Sequence, residues 1–81
     1  MPTILVLEDD PELNRTISSV LERDGYRIFS AYSCKEAKEI AENDTLDMAV
    51  LDINLPDGDG FWFCRWLKDR NQVPVLFLSA R

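Results

Sequence analysis

The 81-residue chain has no histidine, two cysteines, three glycines and nine basic residues against fifteen acidic ones, and each scarcity closes off a class of function. The absence of histidine and the spacing of Cys34 and Cys64 leave no zinc site. In a reducing compartment both cysteines stay thiols and are read as small apolar fillers. The competing reading is a reactive thiol at Cys34, at a predicted helix start. A net charge of -6 lacks the clustered Lys and Arg that neutralise phosphates, so no nucleic-acid surface is expected. The one apolar run near the start, Ile4 to Leu7, is far too short for a membrane span or signal peptide and has no basic region before it. A cytoplasmic protein with no membrane partner is expected. Glycine is missing where a dinucleotide fold needs it, since the first strand runs into "EDDPEL", and there is no Walker loop.

What is present suits one small folded domain. Hydrophobic residues make up 46% of the chain and charged ones 30%, a globular balance that argues against disorder. A chain of this length buries roughly 60 to 65% of its unfolded surface, which leaves a thin margin of stability. "TILVL", Thr3 to Leu7, has no polar alternation, as expected for a strand covered on both faces of a parallel sheet. Asp10 and Pro11 read as an N-cap and first helical residue, followed by Leu13, Ile17, Val20 and Leu21 at helical spacing and by a closing Gly25. "YRIFSAY" predicts a second strand, and "SCKE", Ser33 to Glu36, opens a second helix that stops near Asn43. "LDMAVLD", Leu46 to Asp52, is the third strand. A third helix is predicted over about Phe61 to Asp69, and a fourth strand over "VPVLFLSA" from Val73. In the third helix Trp62, Phe63 and Trp66 give more apolar surface than one packed side requires, which predicts an exposed Trp62.

The order βαβαβαβ with helix-length connections predicts an α/β doubly wound parallel sheet. Ligands of such sheets bind beyond the carboxyl ends of the strands, where strand order reverses. The first strand ends in Glu8, Asp9 and Asp10, the third in Asp52, and the fourth in Ser79. Neighbouring first and third strands, about 4.8 Å apart, would gather these acids on one rim. Carboxylates held about 4 Å apart repel by around 4 kcal/mol at an effective dielectric near 20, so such a rim calls for protons or a cation. All-oxygen ligation with room for water suits Mg²⁺, and Mg²⁺ favours phosphate chemistry with Asp52 as a nucleophile. Taken singly, each residue also has a plain structural explanation. Asp10 caps a helix, Glu8, Asp9 and Asp52 can be solvated strand-end acids, and Ser79 can be a hydroxyl meeting water. "PDGDG" reads as a turn. An EF-hand starting at Asp52 fails, with Pro56 at its fifth position and Phe63 where the bidentate glutamate belongs. An independent metal-dependent hydrolase lacks a second acid or base beside the site.

"ILVLEDDPEL", "DMAVLDINLPDGDG" and "VPVLFLSAR" resemble, in order and on the right strand ends, three signatures of the receiver domain of two-component response regulators, especially those with a winged-helix DNA-binding domain. The resemblance covers the whole chain, 1–81, as the N-terminal portion of the domain. It implies a flavodoxin-like sheet of strand order 2-1-3-4 and makes Asp52 the phosphoacceptor for a sensor histidine kinase. It implies Mg²⁺ held by Glu8, Asp9, Asp52 and the backbone carbonyl of Asn54, with Ser79 as the switch hydroxyl, and kinase docking on the first helix through Leu13 and Asn14.

The family's domain continues with a helix, a fifth strand and a last helix, whereas this sequence stops at Arg81. By that comparison the chain lacks the lysine that pairs with the phosphoryl group, the aromatic switch residue and the family's dimer surface. Lys35 and Lys68 fall on helices and do not replace the lysine. Loss of one preorganised electrostatic partner costs other enzymes about 10²- to 10³-fold in rate. Two functions therefore stay open. One is a signalling phosphoacceptor with self-catalysed phosphotransfer. The other is a phosphorylation-incompetent fragment acting as an interaction module, forming a homo-oligomer through the exposed strand at 73–79.

Overall fold

The computed structural model describes residues 1–52, 54–55 and 58–78. The chain runs β1 (Thr3–Leu7), α1 (Pro11–Arg23), β2 (Arg27–Ala31), α2 (Cys34–Asn43), β3 (Met48–Leu51), β4 (Asn54–Leu55), β5 (Gly58–Asp59), α3 (Gly60–Asn71) and β6 (Val75–Phe77). Four parallel strands form one sheet in the order β2-β1-β3-β6, and β4 and β5 form a separate antiparallel pair. Order and strand direction agree with the 2-1-3-4 expectation. The third and fourth strands are shorter than the apolar runs that announced them, with ladder pairing over Met48–Leu51 and Val75–Phe77.

Alternation along β1 divides the interior in two. Leu5 and Leu7 face a core shared with Ala37 and Ala41 of α2 and with Phe63 and Leu67 of α3. Ile4 and Val6 face the other way, onto Ile17 and Leu21 of α1. A strand with apolar side chains on both faces is what a sheet sandwiched between helices requires.

The helix ends follow local chemistry. The Asp10 carboxylate accepts hydrogen bonds from the backbone N–H groups of Glu12 and Leu13 at 3.0 and 3.5 Å, and Pro11, which has no N–H, needs no acceptor. Gly25 follows α1 at φ +97°, a left-handed conformation that costs a side-chain-bearing residue about 1 to 2 kcal/mol. Ser33 caps α2 by accepting from the Glu36 N–H at 3.2 Å. The Glu36 carboxylate accepts from the Tyr32 N–H instead of from Ser33, one residue earlier than the sequence pattern implied.

Two expectations for α1 need correction. Leu13 and Val20, counted on its apolar stripe, are 39% and 48% exposed, while Asn14 and Ser18 are buried. The stripe is rotated because the α1 side of the sheet is covered chiefly by Ile17 and Leu21. In α3 the aromatic residues split as expected. Phe63 is fully buried and stacks on Trp66 at 5.6 Å, while Trp62 is half exposed. Lys38 of α2 and Arg70 of α3 each lie over the Trp66 ring, at 5.6 and 5.5 Å from its centre.

Candidate functional site

Strand register assembles the site. β1 and β3 pair in parallel with Leu7 opposite Leu51, so the next residue of each strand, Glu8 and Asp52, leaves the sheet at the same level. The backbone continues that alignment past the strand end, where the Asp52 N–H donates to Leu7 O at 2.9 Å, and on the other side of β1 the Glu8 N–H donates to Ala31 O of β2 at 3.1 Å. Both acids are carried there by the apolar runs Ile4 to Leu7 and Met48 to Leu51, and both stay buried, Glu8 at 1% and Asp52 at 3% exposure. Asp52 thus lies just under the rim and not on it. Asp9, one residue on, is exposed.

Each of Glu8, Asp9 and Asp52 contributes a carboxylate oxygen to a group lying within 4.8 Å of one another. The Glu8 carboxylate also accepts a hydrogen bond from the Asp10 N–H at 3.0 Å, which turns it inward at the start of α1. Burial raises the Glu8 pKa above its ordinary 4.5. The bond from Asp10 acts against that rise, and the side-chain hydrogen bond with Asp9 and the charges of Asp52 and Asp9 add to it.

This donor set is oxygen only, the set hard divalent cations prefer and zinc does not. Two oxygens sharing one Mg²⁺ at about 2.1 Å stand at most about 4.2 Å apart, so small side-chain rotations bring the three carboxylates to ligand spacing. Asn54 lies two residues beyond Asp52 and opens β4. Ser79 lies outside the described residues.

Asn14 is where sequence reasoning went astray. Expected on a docking surface, it is wholly buried, and its amide donates to the carbonyls of Glu8 and Ala31, both at 3.0 Å. Its spacing was the available signal: Asn14, Ile17 and Leu21 share one helical stripe, and a polar residue on such a stripe must find partners inside.

Residues 4–81 match the response regulator receiver domain family. The chain is 40% identical over 81 residues to the KDP operon transcriptional regulatory protein KdpE of Escherichia coli (strain K12), covering all of this chain and 36% of that protein. It therefore spans about a third of the length of such relatives. Among solved structures, the non-phosphorylated HemR receiver domain from Leptospira biflexa superposes with a TM-score of 0.92 at 38% identity, covering all of this chain and 66% of that one. The response regulator TrrA from Thermotoga maritima, solved in complex with Mg²⁺-BeF, superposes at 0.93 with 26% identity, covering all of this chain and 71% of that one.

Proposed function

Since the chain belongs to the response regulator receiver domains of two-component systems, we propose that Asp52 is its phosphoacceptor and that Glu8, Asp9 and Asp52 hold the Mg²⁺ the transfer requires. The observation carrying this reading is the Leu7–Leu51 register, which sets Asp52 beside two further carboxylates at the carboxyl ends of adjacent strands. TrrA, solved with Mg²⁺-BeF, supports it.

In this proposal the donor is a sensor histidine kinase. An Asp52 oxygen attacks phosphorus, a P–O bond forms as the P–N bond to the kinase imidazole breaks, and the imidazole leaves with the bonding pair. When bound, Mg²⁺ supplies positive charge against the phosphoryl oxygens and the attacking carboxylate. Asp52 lies just below the surface, and the apolar ends of β1 and β3 restrict water behind it. Glu8, turned inward by the Asp10 N–H, and the exposed Asp9 contribute the remaining carboxylates. The Asn54 carbonyl would complete the protein's ligands, and the Ser79 hydroxyl would donate a hydrogen bond to the transferred group. The phosphorylated form controls transcription through a DNA-binding domain outside this sequence, in the cytoplasm. Among the described residues no helix is long and apolar enough to cross a membrane.

The test is intact mass after incubation with Mg²⁺ and a small acyl-phosphate donor, beside Asp52→Asn. A phosphoryl-sized gain confined to the wild type is expected. A gain that persists in Asp52→Asn, or none in the wild type, overturns the assignment.

A second reading has its own observation. Leu76 of β6 is 56% exposed, and the exposed Phe61 of α3 is tilted against Phe77 of the same strand at 5.1 Å. Among the described residues β6 pairs on one side only, with β3. That edge suits a homo-oligomer of this chain, an interaction module that works without phosphate.

A further inference from the structure

We infer that Asn14 is a positioning residue for the Glu8–Asp9 corner of the acidic site. The inference rests on the Mg²⁺ reading above and deepens it. β1 ends at Leu7, so the Glu8 carbonyl lies past the strand. That carbonyl belongs to the peptide unit joining Glu8 to Asp9, and whatever fixes it fixes the directions in which both side chains leave the backbone.

Asn14 Nδ2 fixes it. This amide donates to Glu8 O at 3.0 Å and to Ala31 O at 3.0 Å, with Val6 O at a longer 3.5 Å. An amide nitrogen has two hydrogens, so the two shorter bonds saturate it. One side chain thus ties the corner after β1 to the last residue of β2, where the Glu8 N–H already donates to Ala31 O at 3.1 Å. The other end of the amide is held as well. Ser18 Oγ donates to Asn14 Oδ1 at 3.2 Å and lies 3.0 Å from Ser30 Oγ on β2. Carbonyl oxygens only accept, so the bonds to Glu8 O and Ala31 O by themselves set the amide's orientation, nitrogen toward the acidic corner, and leave Oδ1 to accept from Ser18.

An apolar side chain on this buried stripe would need no partners. The amide instead meets a demand of the site. Glu8, Asp9 and Asp52 repel one another, and a loose peptide unit would let Glu8 and Asp9 turn apart. Mg²⁺ tolerates little departure from octahedral geometry, so its affinity depends on that corner staying in place. Groups that hold metal ligands from behind are worth about 10- to 100-fold in affinity.

The experiment is a Mg²⁺ titration followed by backbone amide NMR on the wild type, Asn14→Ala, Ser18→Ala and, as the site control, Asp52→Asn. Asn14→Ala is expected to weaken Mg²⁺ binding about 10- to 100-fold. Ser18→Ala cuts the same network on its far side, keeps the bond to the Glu8 carbonyl, and is expected to bind Mg²⁺ as the wild type does. Equal affinity in Asn14→Ala overturns the inference while leaving the Mg²⁺ reading intact, and equal weakening in Ser18→Ala overturns it by showing a general structural role. A wild type that binds no Mg²⁺, or binds it undiminished in Asp52→Asn, overturns the underlying reading instead. If Asn14→Ala does not fold, the wild type decides: the Asn14 side-chain amide resonances must move with the midpoint of Asp9 and Asp52, and stationary resonances overturn the inference.

Discussion

Glu8 is almost wholly buried against two other acids, and burial, with the neighbouring charges of Asp52 and Asp9, lifts its pKa above 4.5. Above that value the folded protein keeps a proton that the unfolded chain has released, so the folded state binds more protons and stability falls as pH rises. The Glu8 contribution is fully present below 4.5 and is lost as pH climbs through the raised folded value. Metal-free thermal melts from acidic to neutral pH are expected to show this decline in the wild type and a flatter profile in Glu8→Gln. At neutral pH Glu8→Gln is expected to melt higher, by roughly 4 to 8 °C for each kcal/mol of repulsion relieved. An unchanged profile would show that Glu8 is ionised without strain. The residue types and order of Glu8, Asp9 and Asp52 were legible in the sequence, since two apolar runs each end in acid. The role of Asn14 was not, because its partners, Glu8 O and Ala31 O, are backbone atoms that no side-chain pattern reveals.

Among the elements, α1 places the acidic corner and is held at both ends by local chemistry. Asp10→Ala removes the carboxylate that accepts from Glu12 and Leu13 and is expected to cost about 1 kcal/mol in denaturant unfolding. Gly25→Ala is expected to cost about 1 to 2 kcal/mol through backbone strain alone, since a Cβ there meets nothing within 4 Å. A cost near zero would mean that the turn relaxes. α3 is anchored by Phe63, whose replacement by alanine costs about 3 to 5 kcal/mol in comparable cores. For a domain this small that loss is expected to abolish the cooperative melt. Caps and helix spans could be anticipated because they depend on neighbours a few residues away. The exposure of Leu13 and Val20 could not, because it depends on which part of the sheet α1 meets.

For the whole molecule, two outcomes separate the functional readings. Mg²⁺ at about a hundred times its dissociation constant is expected to stabilise the wild type by about 2.7 kcal/mol, and Asp52→Asn to lose most of that gain, as read by melting with and without the ion. Light scattering at working concentration is expected to give an oligomeric mass, and Leu76→Lys, which places charge on the β6 edge, to shift it toward monomer. A monomeric wild type would overturn the interaction reading.

The sequence by itself determined the alternation of strands and helices, the parallel class of the sheet, the capping of α1 and α2 and the acids that end β1 and β3, because each follows from short-range pattern and propensity. Only the tertiary structure decided that Leu7 stands opposite Leu51, that Asp52 lies just beneath the surface beside Glu8, and that Asn14 turns inward to bond the Glu8 carbonyl. The physical reason is distance along the chain. Register and burial are set by packing residues more than forty positions apart, and composition carries no record of which of them will meet.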